Sequence, residues 1–292
     1  MSQDFNILIK YINDCAKNVN ENLQKILPQL DESDQLSKLY EAMHYSTFSG
    51  GKRFRPFLLI ATADLFSVPR NISIKYASII ELIHIYSLIH DDLPSLDNDD
   101  ERRGLPSCHK KFNEATAILA GDALLTKAFQ LASAKDHSMN VETQLLIINL
   151  IAEAASINGL LGGQFIDITF DNSSLNMESV MRMNAMKTGA LFKVCCEIAV
   201  NLGNIVSKIH HHHITLYAKS IGAAFQIIDD IHDFSEDKKK LNSINIVNVI
   251  GMEKARNEAE NLINQAIEMM SIFNQKKASP LVEFARYVYS RI

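Results

Sequence analysis

Two acidic groups mark where this 292-residue chain could do chemistry. In the first, Asp91 and Asp92 end an apolar run and are followed by Asp97, Asp99, Asp100 and Glu101, six acids in eleven residues, closed by Arg102 and Arg103. In the second, Asp229, Asp230 and Asp233 end the run 223–228. Positions 229 and 233 are four apart, so a helix stacks both carboxylates on one face, where they repel unless a cation lies between them. Mg²⁺ suits such a pair, because it takes one or two carboxylates and completes its octahedron with water and phosphate oxygens. A charge run is usually just solvated surface. Here each group ends a helix that reads as buried, and delivering uncompensated carboxylates there is costly. Asp91, Asp92, Asp97, Asp229, Asp230 and Asp233 are therefore expected to hold Mg²⁺, as two walls of one cavity that binds a polyanion.

The elements that must position these groups are helical. Ile79, Ile80, Leu82, Ile83, Ile85, Leu88 and Ile89 surround the approach to Asp91 with apolar side chains, the signature of a buried helix. Helix-period patterns cover 4–27, 34–47, 54–67, 72–92, 112–134, 141–168, 177–204, 212–234, 251–273 and 279–290, and no segment shows strand alternation. With 47% apolar residues, six prolines, eleven glycines and no linker, the expectation is an all-α chain. It reads as a single domain over 1–292, a large helical bundle around a central cavity. The net charge of −5 argues against nucleic acid as a partner. Cysteines at 15, 108, 195 and 196 form no C-x-x-C, which points to a reducing, cytoplasmic setting. The first twenty residues lack a signal-peptide core. Asn149, Glu153 and Asn158 interrupt the apolar stretch Leu145 to Leu161, which favours a core helix over a membrane span.

Other motifs also carry chemistry. Ser49-Gly50-Gly51-Lys52-Arg53-Phe54-Arg55-Pro56 lets backbone amides and cations converge on an anion, although it is not a P-loop. Gly162-Gly163 inside a helical pattern needs a reason such as close packing or ligand approach. Lys187-Thr188-Gly189 with Ser49-x-x-Lys52 mimics serine β-lactamase motifs, but the strand and the S-D-N that fold requires are missing. The histidines 210–213 point in four directions on a helix and do not chelate as a unit, so they read as a surface helix start. Cys195-Cys196 reads as core.

Taken in order, GGKRFRP at 50–56, DDLPSLDNDDERRG at 91–104, CHKKF and ILAGDALL within 108–125, GGQFIDI at 162–168, KTGALF at 187–192 and FQIIDD at 225–230 resemble the trans-polyprenyl diphosphate synthases. The likeness is greatest to the bacterial farnesyl type. It implies the isoprenoid synthase fold, a homodimer, and condensation of isopentenyl diphosphate with an allylic diphosphate, dimethylallyl or geranyl. By the same resemblance Lys52, Arg55, His84 and Arg103 bind isopentenyl diphosphate. Arg102, Lys187, Thr188 and Gln226 hold the allylic diphosphate, with Lys187, Thr188, Gln226, Asp91 and Asp229 at the reacting centre. Gln164 and Asp167 support them, and Tyr86 and Ser87 set chain length, the bulky Tyr86 implying a fifteen-carbon product. One departure stands out: aligning on Gly251-Met252-Glu253-Lys254-Ala255 puts Asn242-Ser243 where relatives carry Gly-Lys, so that either Lys238, Lys239 or Lys240 supplies that charge or the allylic diphosphate is held less tightly.

The chemistry follows. Metal neutralises the leaving diphosphate, the allylic group ionises in a dry tunnel, the second substrate's double bond attacks, and the released diphosphate takes the proton. Geranyl or geranylgeranyl diphosphate synthase is the alternative. A terpene cyclase has no use for the second cationic pocket, and a non-catalytic subunit is favoured only by the missing Gly-Lys.

Overall fold

The computed structural model describes residues 5–169, 176–203, 207–236 and 245–292; Lys238, Lys239, Lys240, Asn242 and Ser243 lie outside them. The chain is all-α as expected. Among the described residues are fourteen α-helices, a π-turn, a 3₁₀ turn and one antiparallel ribbon of two-residue strands, β1 (Glu101–Arg102) and β2 (Leu105–Pro106). The ribbon escapes sequence reading because two residues per strand give no alternation. Its turn is made by Arg103 and Gly104, with φ of 57° and 75°, the paired positive values that I′-type hairpin turns need.

Two compact units make up the chain. One comprises Ile12–Ile60 and Pro69–Ile148 and is built on α4 (Arg70–Asp91). Tyr76, Ile79, Ile80, Leu82, Ile83 and Ile85 of α4 are all buried, each worth about 1.5–3 kcal/mol relative to exposure for the aliphatic side chains. Helix α6 (Glu114–Ser133) packs along α4, and α2 (Ser37–Phe48) packs on α6. Buried Ala117, Ala120, Gly121, Ala128 and Ala132 keep the facing side of α6 small. At Gly121 an added Cβ would lie 2.2 Å from the His90 ring. The Asn113 side chain caps α6 by accepting from the Thr116 amide, satisfying one of the free first-turn donors.

The other unit comprises Met1–Tyr11, Ala61–Val68 and Asn149–Ile292. Its longest helix, α11 (Lys208–Glu236), packs against α13 (Met252–Met269) and α10 (Ala190–Leu202). Helix α9 (Met177–Asn184) runs into the π-turn Ala185–Gly189. A Cβ on Gly222 of α11 would stand 3.1 Å from the Gly189 Cα, so helix and π-turn meet glycine to glycine. Cys195 and Cys196 are core, and the 210–213 histidines lie in the first turns of α11, as read from sequence.

Two stretches, Arg70–Asp91 and Val141–Thr169, are long and apolar enough to cross a membrane by length and composition alone. In α4 72% of the window is buried, but in Val141–Thr169 only 33% is. The expected core helix is thus half-buried: α7 (Val141–Ala155) buries Ile147 and Ile151 and exposes Val141, Leu145 and Leu146, while α8 (Leu160–Thr169) exposes Leu161, Phe165 and Ile168.

Candidate active site

The glycine-rich loop before α3 (Phe54–Leu65) is held open by backbone geometry. Gly50, Gly51 and Arg53 have φ of 101°, 111° and 53°, the region glycine enters at no steric cost. Gly51 is needed for space as well, because a Cβ there would sit 2.7 Å from the Arg103 guanidinium, whose Nη1 donates to the Gly50 carbonyl. Arg103 is delivered by the β1–β2 turn. From α4, His84 Nε2 lies 3.2 Å from Arg55 Nη1. Arginine only donates, so Nε2 accepts and the His84 proton is on Nδ1. Burial first, then the charges of Arg55, Arg103, Arg53 and Arg102, holds His84 well below the usual histidine range. Arg55, His84 and Arg103 are therefore brought together around the loop that carries Lys52, as a cationic pocket with a neutral imidazole.

Arg53 behaves differently. Its side chain is buried, with Nη1 2.7 Å from Glu81 Oε1 and Nε donating to Asn20 at 3.1 Å. Sequence reading missed this pair, yet a signal existed: Glu81 is the lone acid in the apolar run 77–89, and a buried acid demands a partner.

At the end of α4 the chain turns back so that the Asp97 amide donates to the Asp91 carbonyl at 2.8 Å. Asp92 is buried and accepts from Arg102 Nε at 2.9 Å. Burial raises its carboxyl, and Arg102 works in the opposite sense. One turn earlier in α4, the Tyr86 ring is buried and meets His90 edge-on at 5.7 Å. Ser87 is buried too, bonded to the His84 carbonyl at 2.9 Å.

In the other unit the π-turn carries Lys187 and Thr188, and such turns concentrate at functional sites. The adjacent glycines have the packing reason expected of them: a Cβ on Gly163 would fall 2.2 Å from the Lys187 amide nitrogen, and one on Gly162 2.7 Å from Met186 Cε. This closeness sets Lys187 Nζ 2.6 Å from Asp167, with Gln164 buried nearby on α8. Thr188 Oγ1 donates to Gln226 at 2.8 Å, and Gln226 Nε2 donates to Asp230 at 3.0 Å. The second oxygen of Asp230 accepts from the Ile246 amide at 2.9 Å, and its carbonyl accepts from Asn245 at 2.8 Å. Burial pushes the Asp230 carboxyl up to about 6.

In both aspartate pairs, then, the second member is tied into the protein. Asp229 likewise has a protein partner, Arg291, whose Nη2 lies 2.7 Å away and whose guanidinium stacks 5.1 Å from the Phe225 ring. Burial raises Asp229 and Arg291 opposes the rise. Arg291 is a second residue the sequence reading passed over, since it lies 62 positions from its partner.

A helical scaffold that ends buried helices in aspartates and builds a separate arginine–histidine pocket is that of enzymes that transfer prenyl groups between diphosphates. Residues 36–267 match the polyprenyl synthetase family, and the chain belongs to it; it is a head-to-tail prenyltransferase that joins isopentenyl diphosphate to an allylic diphosphate. It is 36% identical over 290 residues to the farnesyl diphosphate synthase of Escherichia coli (strain K12), covering 95% of this chain and 96% of that one. It is 35% identical over 268 residues to a chloroplastic geranylgeranyl pyrophosphate synthase of Catharanthus roseus, covering 87% and 74%. The apo crystal structure of an FPP/GFPP synthase from Zymomonas mobilis superposes with a TM-score of 0.88 at 37% identity, covering 97% and 98%. Farnesyl and geranylgeranyl relatives stand at nearly equal identity, so kinship assigns the condensation and not the product length.

The family implies a divalent cation. Among the described residues no three His, Cys, Asp or Glu side chains form a ready-made cage. The donor chemistry nevertheless fits a hard ion that takes few protein ligands: burial raises the Asp229 carboxyl and the Asp233 charge four residues on adds to that rise, a repulsion that a cation relieves.

Proposed function

We propose that this enzyme condenses isopentenyl diphosphate with dimethylallyl or geranyl diphosphate and stops at farnesyl diphosphate. The observation that supports two diphosphate substrates is the pocket of Arg55, neutral His84 and Arg103 on the Lys52 loop, which a cyclase with one diphosphate would not need. We assign isopentenyl diphosphate to Lys52, Arg55, His84 and Arg103. Arg102, Lys187, Thr188 and Gln226 are assigned to the allylic diphosphate. Lys187 is oriented by Asp167, and Thr188 by Gln226.

Asp91, Asp97, Asp229 and Asp233 would hold Mg²⁺, which when bound supplies neutralising charge to the departing diphosphate. Asp92 and Asp230, read from sequence as further ligands, stand beside them in this proposal, each already oriented by a protein partner. Asp92 fixes Arg102, and both carboxylate oxygens of Asp230 are taken by Gln226 and the Ile246 amide. Apolar side chains around Tyr86 keep water from the allylic cation, and the released diphosphate accepts the proton.

Tyr86, with Ser87 beside it, would end elongation at fifteen carbons. A geranylgeranyl product is the second reading, favoured by the similarity to the Catharanthus enzyme. The exposed apolar faces of α7 and α8 fit burial against a second copy of the chain, so a homodimer is expected rather than a membrane span. Its four buried cysteines, with no C-x-x-C among them, fit a cytoplasmic protein, and nothing in its charge calls for nucleic acid.

The test is to supply purified protein with Mg²⁺, labelled isopentenyl diphosphate and either primer, then size the product. A fifteen-carbon product is expected. A twenty-carbon product replaces the length assignment, and no incorporation with either primer overturns the function.

A further inference from the structure

We infer that Arg53 and Glu81 form a positioning strut for the isopentenyl diphosphate pocket, through which Glu81 sets how tightly that substrate binds without touching it. The inference rests on the proposed function for the identity of the diphosphate. Both side chains are 2% exposed and 2.7 Å apart. The same guanidinium also donates to Asn20 of α1 (Asn6–Ile26) at 3.1 Å and to the Thr47 carbonyl of α2. One side chain thus ties three helices together from inside the loop.

The strut touches the pocket at both ends. Arg53 is flanked by Lys52 and, two residues on, by Arg55. Its carbonyl accepts from the Phe57 amide at 2.9 Å, opening α3, while its own φ of 53° is one that residues other than glycine avoid. An extended or right-handed residue 53 would turn Lys52 and Arg55 elsewhere, and the buried side chain is what holds the unusual conformation in place. At the other end Glu81 lies three residues before His84 on the same face of α4, and His84 bonds Arg55.

Charge gives an independent reason. Four arginines, at 53, 55, 102 and 103, already press on His84. Glu81 neutralises Arg53 at contact distance, so the diphosphate meets Lys52, Arg55 and Arg103 in fixed directions. A buried ion pair is a poor stabiliser compared with apolar residues of the same volume, so fold stability alone does not explain this one. Placement of the loop does.

The test compares Glu81→Gln, Arg53→Lys and the double variant Arg53→Met/Glu81→Leu with the unmutated enzyme. KM is measured for isopentenyl and geranyl diphosphates, affinity for inorganic pyrophosphate by calorimetry with chelator present, and melting temperature. We expect KM for isopentenyl diphosphate to rise about tenfold or more, the equivalent of 1.4 kcal/mol, in all three variants. Pyrophosphate affinity should fall in parallel, with KM for geranyl diphosphate changed by less than about twofold and the double variant melting near the unmutated protein. A folded double variant with unchanged isopentenyl KM and pyrophosphate affinity overturns the strut, as do equal rises in both KM values. Should the double variant fail to fold, Arg53→Lys decides by the same criterion, since it keeps a charge for Glu81 but lacks the planar fork that also reaches Asn20 and Thr47. If the unmutated enzyme binds pyrophosphate but transfers nothing, the functional reading fails and the titration still judges the strut.

Discussion

Gly163→Ala adds one methyl group where α8 meets the π-turn. The new Cβ would lie 2.2 Å from the Lys187 nitrogen and 2.5 Å from its Cα. Both are backbone atoms, so no rotamer change relieves the clash. Reaching the 3.4 Å at which ordinary contact begins requires the two backbones to part by about 1.2 Å. That displacement falls on Lys187, whose Nζ is 2.6 Å from Asp167, and on Thr188, whose hydroxyl bonds Gln226 at 2.8 Å. A misplacement of ~1 Å is enough to cost ~100-fold in rate, and overpacking of this kind destabilises by ~1–3 kcal/mol. The expected outcome in steady-state assays with geranyl diphosphate is a kcat lower by about 100-fold. Urea unfolding should show a cooperative but weakened fold. A Gly163→Ala enzyme with unaltered kcat and stability would mean that α8 does not bear on the π-turn, and the account of how Lys187 is positioned would be wrong.

Two further expectations concern single side chains. Tyr86 has a buried hydroxyl without a hydrogen-bond partner among the described residues. Tyr86→Phe should therefore keep product length, while Tyr86→Ala should lengthen it and cost about 3–5 kcal/mol by opening a cavity; chromatographic sizing checks both, and an unchanged product from the alanine variant removes the stop role. At Asp136 burial acts to raise the carboxyl, but bonds from Lys75 at 2.8 Å and from Ser138 outweigh it and bring the value down to about 2, against 3.8 unfolded. Because the folded-state value is depressed, the stabilisation is present above about 4 and is lost as pH falls through about 2. The group is near solvent, so its worth is on the order of 1 kcal/mol. Asp136→Asn should remove that part of the acid sensitivity, and identical unfolding curves at pH 3 and pH 6 for both proteins would discount the pair.

Much of this enzyme is legible in one dimension. The all-helical class follows from the 3.6-residue period, because a helix must bury a stripe and α4 buries every side. The aspartates, the glycine-rich loop, Lys187-Thr188-Gly189 and Gln226 are legible because each is a short run whose chemistry depends on near neighbours. What only the folded chain decided are pairings between distant residues. Asp92 and Asp230 stand in aspartate runs in sequence, yet in the fold Asp92 accepts from Arg102, while Asp230 accepts from Gln226 and the Ile246 amide at its carboxylate and from the Asn245 side chain at its carbonyl. Arg53 looks like a third pocket cation, yet Glu81 buries its charge. Arg291 reaches Asp229 across 62 positions. Residue type and local spacing specify which groups can bear charge, whereas desolvation and hydrogen bonding in three dimensions determine which of those charges are spent on the protein itself and which remain for a ligand.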